Sequence, residues 1–246
     1  MNAIEQNAFT AALGKLGRSL PLPKAICVVS AHWVTRGCHV LTADRPRTIH
    51  DFYGFPPPLY EVQYPAPGAP EEAKRLVLKN RFLADREGGF DHGAWTVLRH
   101  LYPEAQVRVF QLSLDHARTL SEHFSVGGEL RELRRRGVLL LASGNLVHNL
   151  HRINWEMPRI GYAWAEEFDG NVRKALLNRD VDALVAPERW GSKLLGDAHP
   201  TLEHYAPLLY GLGASDAQDD IRFPYEGLEY GTISMRMVLF EPSGRA

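Results

Sequence analysis

The chain has 246 residues, of which 45% are hydrophobic, and a formal net charge of -1 at pH 7. It is long enough to bury a full core as one domain, and its near-neutral charge argues against binding to nucleic acid or to an anionic membrane surface. Its two cysteines form no CxxC pair. The sequence shows neither an apolar run of membrane length nor a signal peptide at its start, so we expect a cytoplasmic protein.

The first strong pattern is a helix followed by a buried strand. Apolar residues at helical spacing predict a helix over residues 7–17. The apolar run over 25–29 is typical of a fully buried parallel strand, and it ends in Ser30-Ala31-His32-Trp33. Ligands of open α/β sheets bind beyond the carboxyl ends of strands, so His32 stands where a site is expected.

A long segment over residues 48–68 is rich in aromatic residues and prolines. Prolines restrict the open states of a loop, and aromatic rings offer flat apolar surface. Taken alone, the segment is either a loop packed against its own domain or a wall over a pocket for a planar ligand.

The remaining patterns predict a regular alternation of elements. We expect strands over 40–42, 107–112, 138–144 and 232–240, and helices over 70–79, 94–101, 120–136, 162–177, 181–185 and 200–210. The fold class that follows is α/β, a single domain over residues 1–246 with a mostly parallel central sheet and helices on both faces.

Histidines at the ends of these elements are the best candidates for chemistry. The strand over 138–144 opens into Asn145-Leu146-Val147-His148-Asn149, so it brings a second histidine to the edge of the sheet where His32 is expected. His92, with Asp91 before it, and His204, with Glu203 before it, also stand among small or polar neighbours.

Neutral imidazoles are the commonest metal ligands in proteins, and metal sites gather them from distant segments. The sequence contains no HExxH or GxSxG motif, so a zincin protease and an α/β-hydrolase lack support. A mononuclear histidine-rich metal site follows, but the spacing of the histidines leaves its reaction undecided.

A series of motifs resembles one known family in both content and order. The chain is similar to the 4,5-DOPA extradiol dioxygenase-like proteins, which belong to the class III extradiol ring-cleavage dioxygenases. The resemblance runs from Met1 to about Met235 and rests on the motifs over 30–33, 48–52, 64–68, 90–93, 142–149 and 203–208.

The resemblance implies roles for the candidate histidines. His32 and His204 look like ligands of a non-haem Fe(II), in whose place Zn(II) is often found. His148 looks like the histidine beside the bound dioxygen, sometimes counted with the metal site itself. His92, with Asp91, looks like a second acid–base group, and the aromatic segment becomes a wall for the substrate.

The sequence departs from the family at its start. The family opens with a strand that ends in a Gly-His-Gly-Ser-Pro turn, whose histidine is a metal ligand, and this chain begins with Met1-Asn2 where that turn should end. Two explanations stay open: the protein is longer than this sequence, which we favour, or it lacks a core strand and one ligand.

The expected function is therefore a metal-dependent extradiol dioxygenase that opens the ring of a catechol such as DOPA. Its partners are then a small aromatic diol and O2, and a homo-oligomer is left open. A member of the superfamily that only binds metal or protein is one alternative. A zinc hydrolase, in which a metal-bound hydroxide attacks an ester or amide, is the other.

Overall fold

The computed structural model describes residues 2–78 and 82–244. The chain divides into two compact units, which comprise Met1–Ala117 with Glu132–Ser143 and Arg118–Arg131 with Gly144–Ala246. The single domain predicted over residues 1–246 stays a prediction.

The described elements follow one another in an irregular alternation. The helices are α1 (Ala8–Ser19), α2 (Pro57–Tyr60), α3 (Pro70–Val77), α4 (His92–Leu101), α5 (Leu120–Glu129), α6 (Arg131–Arg135), α7 (Ala163–Leu177), α8 (Val181–Leu184), α9 (Ser192–Ala198) and α10 (Ala206–Ala214), with short 3₁₀ helices at Leu150–Arg152 and Pro187–Trp190. The strands are β1 (Ala25–Thr35), β2 (His39–Leu41), β3 (Arg47–Thr48), β4 (Leu83–Asp85), β5 (Gly89–Phe90), β6 (Val109–Asp115), β7 (Val138–Ser143), β8 (Asp219–Arg222), β9 (Leu228–Glu229), β10 (Ile233–Ser234) and β11 (Leu239–Pro242).

The first unit is built on a five-stranded sheet in the order β4-β2-β6-β1-β7. Strand β1 pairs in parallel with both β6 and β7, and β2 pairs in parallel with β4. The pairing of β2 with β6 is antiparallel. The predicted α/β class with a mostly parallel sheet is therefore confirmed.

Strand β1 owes its central place to its apolar sequence. The residues over 26–29 are fully buried although successive side chains point to opposite faces, so both faces of the sheet are covered. Each such side chain contributes about 1.5–3 kcal/mol when it leaves water. Helix α4 packs on β1 and on α1, and α3 packs on β2, β4 and β6.

Strand β1 is longer than its apolar run predicts. It continues to Thr35, so His32 lies within the strand and not beyond its end. Its register against β6 shifts between Val29 and Val34, and burial gives way to exposure at His32. An irregular ladder of this kind re-aims side chains and is common beside functional sites.

Helix α3 ends at Val77, and the predicted end at Lys79 lies outside the described residues. Helix α4 begins at His92, earlier than predicted, because the side chain of Asp91 accepts the N–H of Ala94 as an N-cap.

The second unit has a core formed mainly by helices, with Phe168, Val172, Tyr205 and Leu209 fully buried in it. The helix predicted over 120–136 is wrong in extent, because α5 ends at Glu129 and α6 follows as a separate helix. No helix in the described part of the chain is long and apolar enough to cross a membrane.

Two further predictions in the second unit need correction. The helix expected over 200–210 begins instead at Ala206, with Pro207 in its first turn, where a proline is favoured. His204 therefore precedes the helix. The strand expected over 232–240 is split into β10, which pairs with β9, and β11, which pairs with β8.

Candidate active-site residues

The first unit holds His32 and His92 side by side. Their ring centroids lie 3.8 Å apart with the planes tilted by 45°. His32 comes from the irregular end of β1, and His92 is the first residue of α4. The packing of α4 on β1 therefore brings together two histidines that the sequence separates by a long loop and several elements.

A buried polar network joins the start of α4 to the middle of β1. Asp91 accepts hydrogen bonds from the Ser30 hydroxyl (2.8 Å) and from the side chain of Gln111, in addition to its bond to Ala94. Burial raises the pKa of Asp91, and the bonds from Ser30, Ala94 and Gln111 oppose that rise. The contacts of Asp91 are those of a helix cap that also ties two elements together.

Gly93 allows His32 to approach the helix. A Cβ at this position would lie 2.6 Å from Oγ of Ser30 and 2.7 Å from Cδ2 of His32. Real Cβ atoms do not approach that closely, so a side chain here would displace the His32 ring or the helix.

The carboxylate that faces the His92 ring belongs to Asp51, not to its neighbour Asp91. The backbone N–H of His92 donates to Oδ1 of Asp51 at 2.8 Å, and Nδ1 of the ring lies 2.9 Å from Oδ2. Partial burial on its own would raise the pKa of Asp51. The hydrogen bonds and charge of His92 outweigh burial and hold the pKa of this carboxyl below its usual range.

His32, Asp51 and His92 together form a donor cluster. One ligand atom from each lies within 4.8 Å of the others. Two imidazoles and a carboxylate suit a non-haem Fe(II), and they also suit Zn(II).

Aromatic side chains of the proline-rich segment pack beside His92. The Phe52 ring meets the His92 ring edge-on at 5.4 Å and 88°, and Tyr60 lies 5.0 Å from Phe52. Short helix α2 lies within this segment, for which the sequence predicts only a loop or a wall over a pocket. His50 is not part of the donor cluster; its Nε2 lies 3.0 Å from the carbonyl oxygen of Val62.

In the second unit, His148 and His204 stack face to face, with ring centroids 3.4 Å apart and planes 5° from parallel. His148 follows β7, and its N–H donates to the carbonyl of Ala198. Burial lowers the pKa of His148, and the charge of Glu203 opposes this only in part. Its ring is therefore held in the neutral form, which is the form that binds metals.

Asn145 fixes the orientation of His204. Its side-chain NH2 donates to the carbonyl of Ser234 at 2.9 Å, which turns Oδ1 towards Nδ1 of His204 at 3.1 Å. Because an amide oxygen only accepts, Nδ1 carries the ring proton and Nε2 carries the lone pair. An imidazole fixed in this way by a second residue is typical of metal ligands.

Sequence reasoning missed two of these residues. Asp51 gave no periodic signal, because it lies in a loop and reaches His92 across 41 positions. Asn145 lies in the motif over 142–149, directly after a predicted buried strand. Its side-chain amide is the signal that could have identified it as a hydrogen-bond partner for a histidine.

Comparison with known proteins gives one consistent family. The family described as the catalytic LigB subunit of aromatic ring-opening dioxygenase matches residues 6–235. The chain is 46% identical to an Escherichia coli K12 protein named 4,5-DOPA dioxygenase extradiol, over 97% of this chain and 90% of that protein. It is 38% identical to the protein of the same name from Portulaca grandiflora, over 86% of this chain and 80% of that one.

A crystal structure of an uncharacterized protein from Escherichia coli K12 has the same fold, with a TM-score of 0.82 and 42% identity over 96% of this chain and 93% of that one. The family match spans both compact units of the chain. The resemblance inferred from the motifs is thereby confirmed, and the chain belongs to the LigB family of aromatic ring-opening dioxygenases.

Proposed function

We propose that this protein is an extradiol dioxygenase that opens the ring of a catechol with O2, and that DOPA is the catechol to test first. The observation that carries the proposal is the 46% identity, over 97% of the chain, to a protein named 4,5-DOPA dioxygenase extradiol. The neighbouring pairs His32–His92 and His148–His204 add the imidazoles that such chemistry needs.

We propose further that activity depends on a bound divalent ion, with Fe(II) as the active metal and Zn(II) as an ion that also fits. The donor chemistry supports this, because imidazole nitrogens suit both ions, and His32 lies in a cluster whose donor atoms are all within 4.8 Å of one another. In the second unit, the orientation of His204 by Asn145 is that of a ligand prepared for a metal.

The roles predicted from the sequence are kept as part of this proposal. His32 and His204 are the expected ligands, His148 acts beside the dioxygen, and His92 is the second acid–base group. The sequence predicts Asp91 as part of the acid–base group. Its contacts support only a structural role, in which Asp91 anchors the helix that carries His92.

A bound Fe(II) supplies acidification of the catechol hydroxyls and the redox capacity to react with O2. The protein's own groups then handle protons and position the substrate. His148 takes or holds a proton near the dioxygen, and His92 returns one to the opened ring. Groups placed for such transfers each contribute about 10²–10⁴-fold to the rate.

The aromatic segment is the proposed wall for the substrate ring. Phe52 stands against His92 and also contacts Phe55 and Tyr60, so a planar substrate beside His92 would meet aromatic surface. The prolines over 56–58 limit the open states of this segment.

An assay with iron-loaded protein tests the proposal. The protein is loaded with Fe(II) under anaerobic conditions and then exposed to air with DOPA or protocatechuate. We expect O2 uptake and a yellow product of the muconic-semialdehyde type. Turnover of esters or amides without O2 would support a zinc hydrolase instead, and metal binding without turnover of any catechol would support a non-catalytic protein.

A further inference from the structure

We propose that Asp51 is a positioning residue that holds the proton of His92 on Nδ1, so that Nε2 is the ring nitrogen that exchanges a proton with the substrate. The part about the substrate rests on the proposed function. The part about the ring proton rests on the first unit alone and can be tested without a metal or a substrate.

Both oxygens of Asp51 are directed to one residue. Oδ1 accepts the backbone N–H of His92 at 2.8 Å, and Oδ2 lies 2.9 Å from Nδ1 of the ring. A single carboxylate thus contacts the main chain and the side chain of His92 together. This double contact fixes the ring relative to the start of α4.

The chemistry of the pair decides which nitrogen is protonated. A carboxylate only accepts hydrogen bonds, and a neutral imidazole has one N–H, so the nitrogen that faces Asp51 carries it. Nδ1 is buried, and apart from this close contact, which does not have regular hydrogen-bond geometry, it has no partner in the described residues. Such bonds are often poorly aligned before the substrate binds.

Two further rings limit the rotation of His92. Phe52, the residue after Asp51, meets the imidazole edge-on at 5.4 Å. His32 lies against it at 3.8 Å. The ring is therefore held by neighbours as well as by the carboxylate, which is the preorganisation that a proton-transfer group needs.

The competing role for Asp51 is that of a metal ligand, since it is part of the donor cluster with His32 and His92. Both of its oxygens are already engaged by His92. As a ligand, Asp51 would share one of these oxygens between the ion and His92, since each oxygen has two lone pairs. The two roles therefore predict different outcomes when the carboxylate is replaced by an amide.

The ring proton is observed by NMR of metal-free protein labelled with ¹⁵N-histidine. The signals of His92 are assigned by their loss in His92→Gln. We expect wild-type His92 to carry its proton on Nδ1. A proton on Nε2 would overturn the proposal, whatever the activity of the protein.

We expect the Asp51→Asn substitution to invert the tautomer of His92. The backbone N–H of His92 keeps the amide oxygen on its side, which turns the amide NH2 towards Nδ1 and moves the ring proton to Nε2. The matched control is Glu87→Gln, which removes an exposed carboxylate from the same unit and should leave the tautomer unchanged. Retention of the Nδ1 proton in Asp51→Asn would contradict the proposal.

Kinetics and metal content separate the two roles of Asp51. In iron-loaded Asp51→Asn we expect kcat to fall by about 10²-fold with KM and bound iron nearly unchanged. In a His92→Gln background, the same change should cost almost nothing, because Asp51 acts through His92. Loss of the metal in Asp51→Asn would assign Asp51 as a ligand and overturn the proposal. If no variant or wild type opens a catechol, the proposed function fails while the tautomer result stands.

Discussion

Asn145 holds His204 at two points: its backbone N–H donates to the carbonyl oxygen of His204 at 2.9 Å, and its side-chain Oδ1 lies 3.1 Å from Nδ1 of the imidazole. Gly144 permits this approach, since a Cβ there would lie 2.3 Å from the same carbonyl oxygen. Gly144 and Asn145 thus fix one imidazole in position and in tautomer.

This relationship predicts that Asn145→Ala weakens metal binding about 10–100-fold, which is the usual cost of losing the partner of a ligating histidine. Metal affinity is measured by competition with a chelator, and folding is monitored by thermal unfolding. Asn178→Ala, at an exposed asparagine of the same unit, is the control and should bind metal like the wild type. An unchanged affinity in Asn145→Ala would show that His204 needs no such support.

Removal of a predicted metal ligand and removal of the predicted proton-transfer group should have different effects on the metal content of the protein. His32→Ala and His204→Ala should lose the bound metal, whereas His148→Ala should keep it and lose most turnover. Elemental analysis of purified protein, together with O2-uptake rates, distinguishes these outcomes. His116→Ala removes an exposed histidine and serves as the control. Normal metal content and rate in His204→Ala would show that its assignment is wrong.

Gly93→Ala should destabilise the protein by about 1–3 kcal/mol, because the added Cβ forces Ser30 and the His32 ring to move. Urea unfolding measures the change. Gly170→Ala is a matched control within a helix, where a Cβ would meet nothing within 4 Å. That change should stabilise the protein by about 0.5–1 kcal/mol. Equal effects of the two changes would mean that β1 and α4 are not in close contact at Gly93.

His199 makes stability depend on pH. Burial lowers the pKa of His199 to about 4, the hydrogen bond to the Leu146 carbonyl opposes this, and Nδ1 is buried without a hydrogen-bond partner in the described residues. The unfolded chain takes up this proton near pH 6.5, so the stabilisation is complete above that pH and is lost as the pH falls towards 4. The loss is about 3 kcal/mol.

The free energy of unfolding of wild type and His199→Leu, measured from pH 7 to pH 4, checks this effect. The variant should be less stable at pH 7, because it leaves the Leu146 carbonyl without its donor, but its stability should fall less steeply below pH 6.5. His116→Gln should keep the wild-type slope. Parallel curves for wild type and His199→Leu would contradict the assigned pKa.

The sequence was most informative where burial and chemistry coincide. The apolar run before Ser30 predicts the central strand, and His32 follows this run at the point in β1 where burial gives way to exposure. The apolar run before Asn145 likewise predicts a strand, and His148 follows that strand, β7. Buried parallel strands leave a strong signal because every residue in them is apolar.

Helix boundaries were predicted wrongly where the sequence contains more than one possible start or end signal. Pro200 predicts the start of a helix, but Pro207 is the proline in the first turn of α10. The helix over 120–136 was predicted as continuous although α5 ends at Glu129. The contact of Asp51 with His92 could not be predicted, because it depends on the course of a long loop, and no local sequence pattern indicates that course.

The most direct test of the account is the fate of O2 during turnover. Iron-loaded protein is incubated with DOPA under ¹⁸O2, and the mass of the product is measured before it cyclises. We predict that both atoms of one O2 molecule appear in a ring-opened product, with one O2 consumed per catechol. A product that carries no heavy oxygen, or a catechol oxidised to a quinone with its ring intact, would contradict the proposal that this chain is a ring-cleaving dioxygenase.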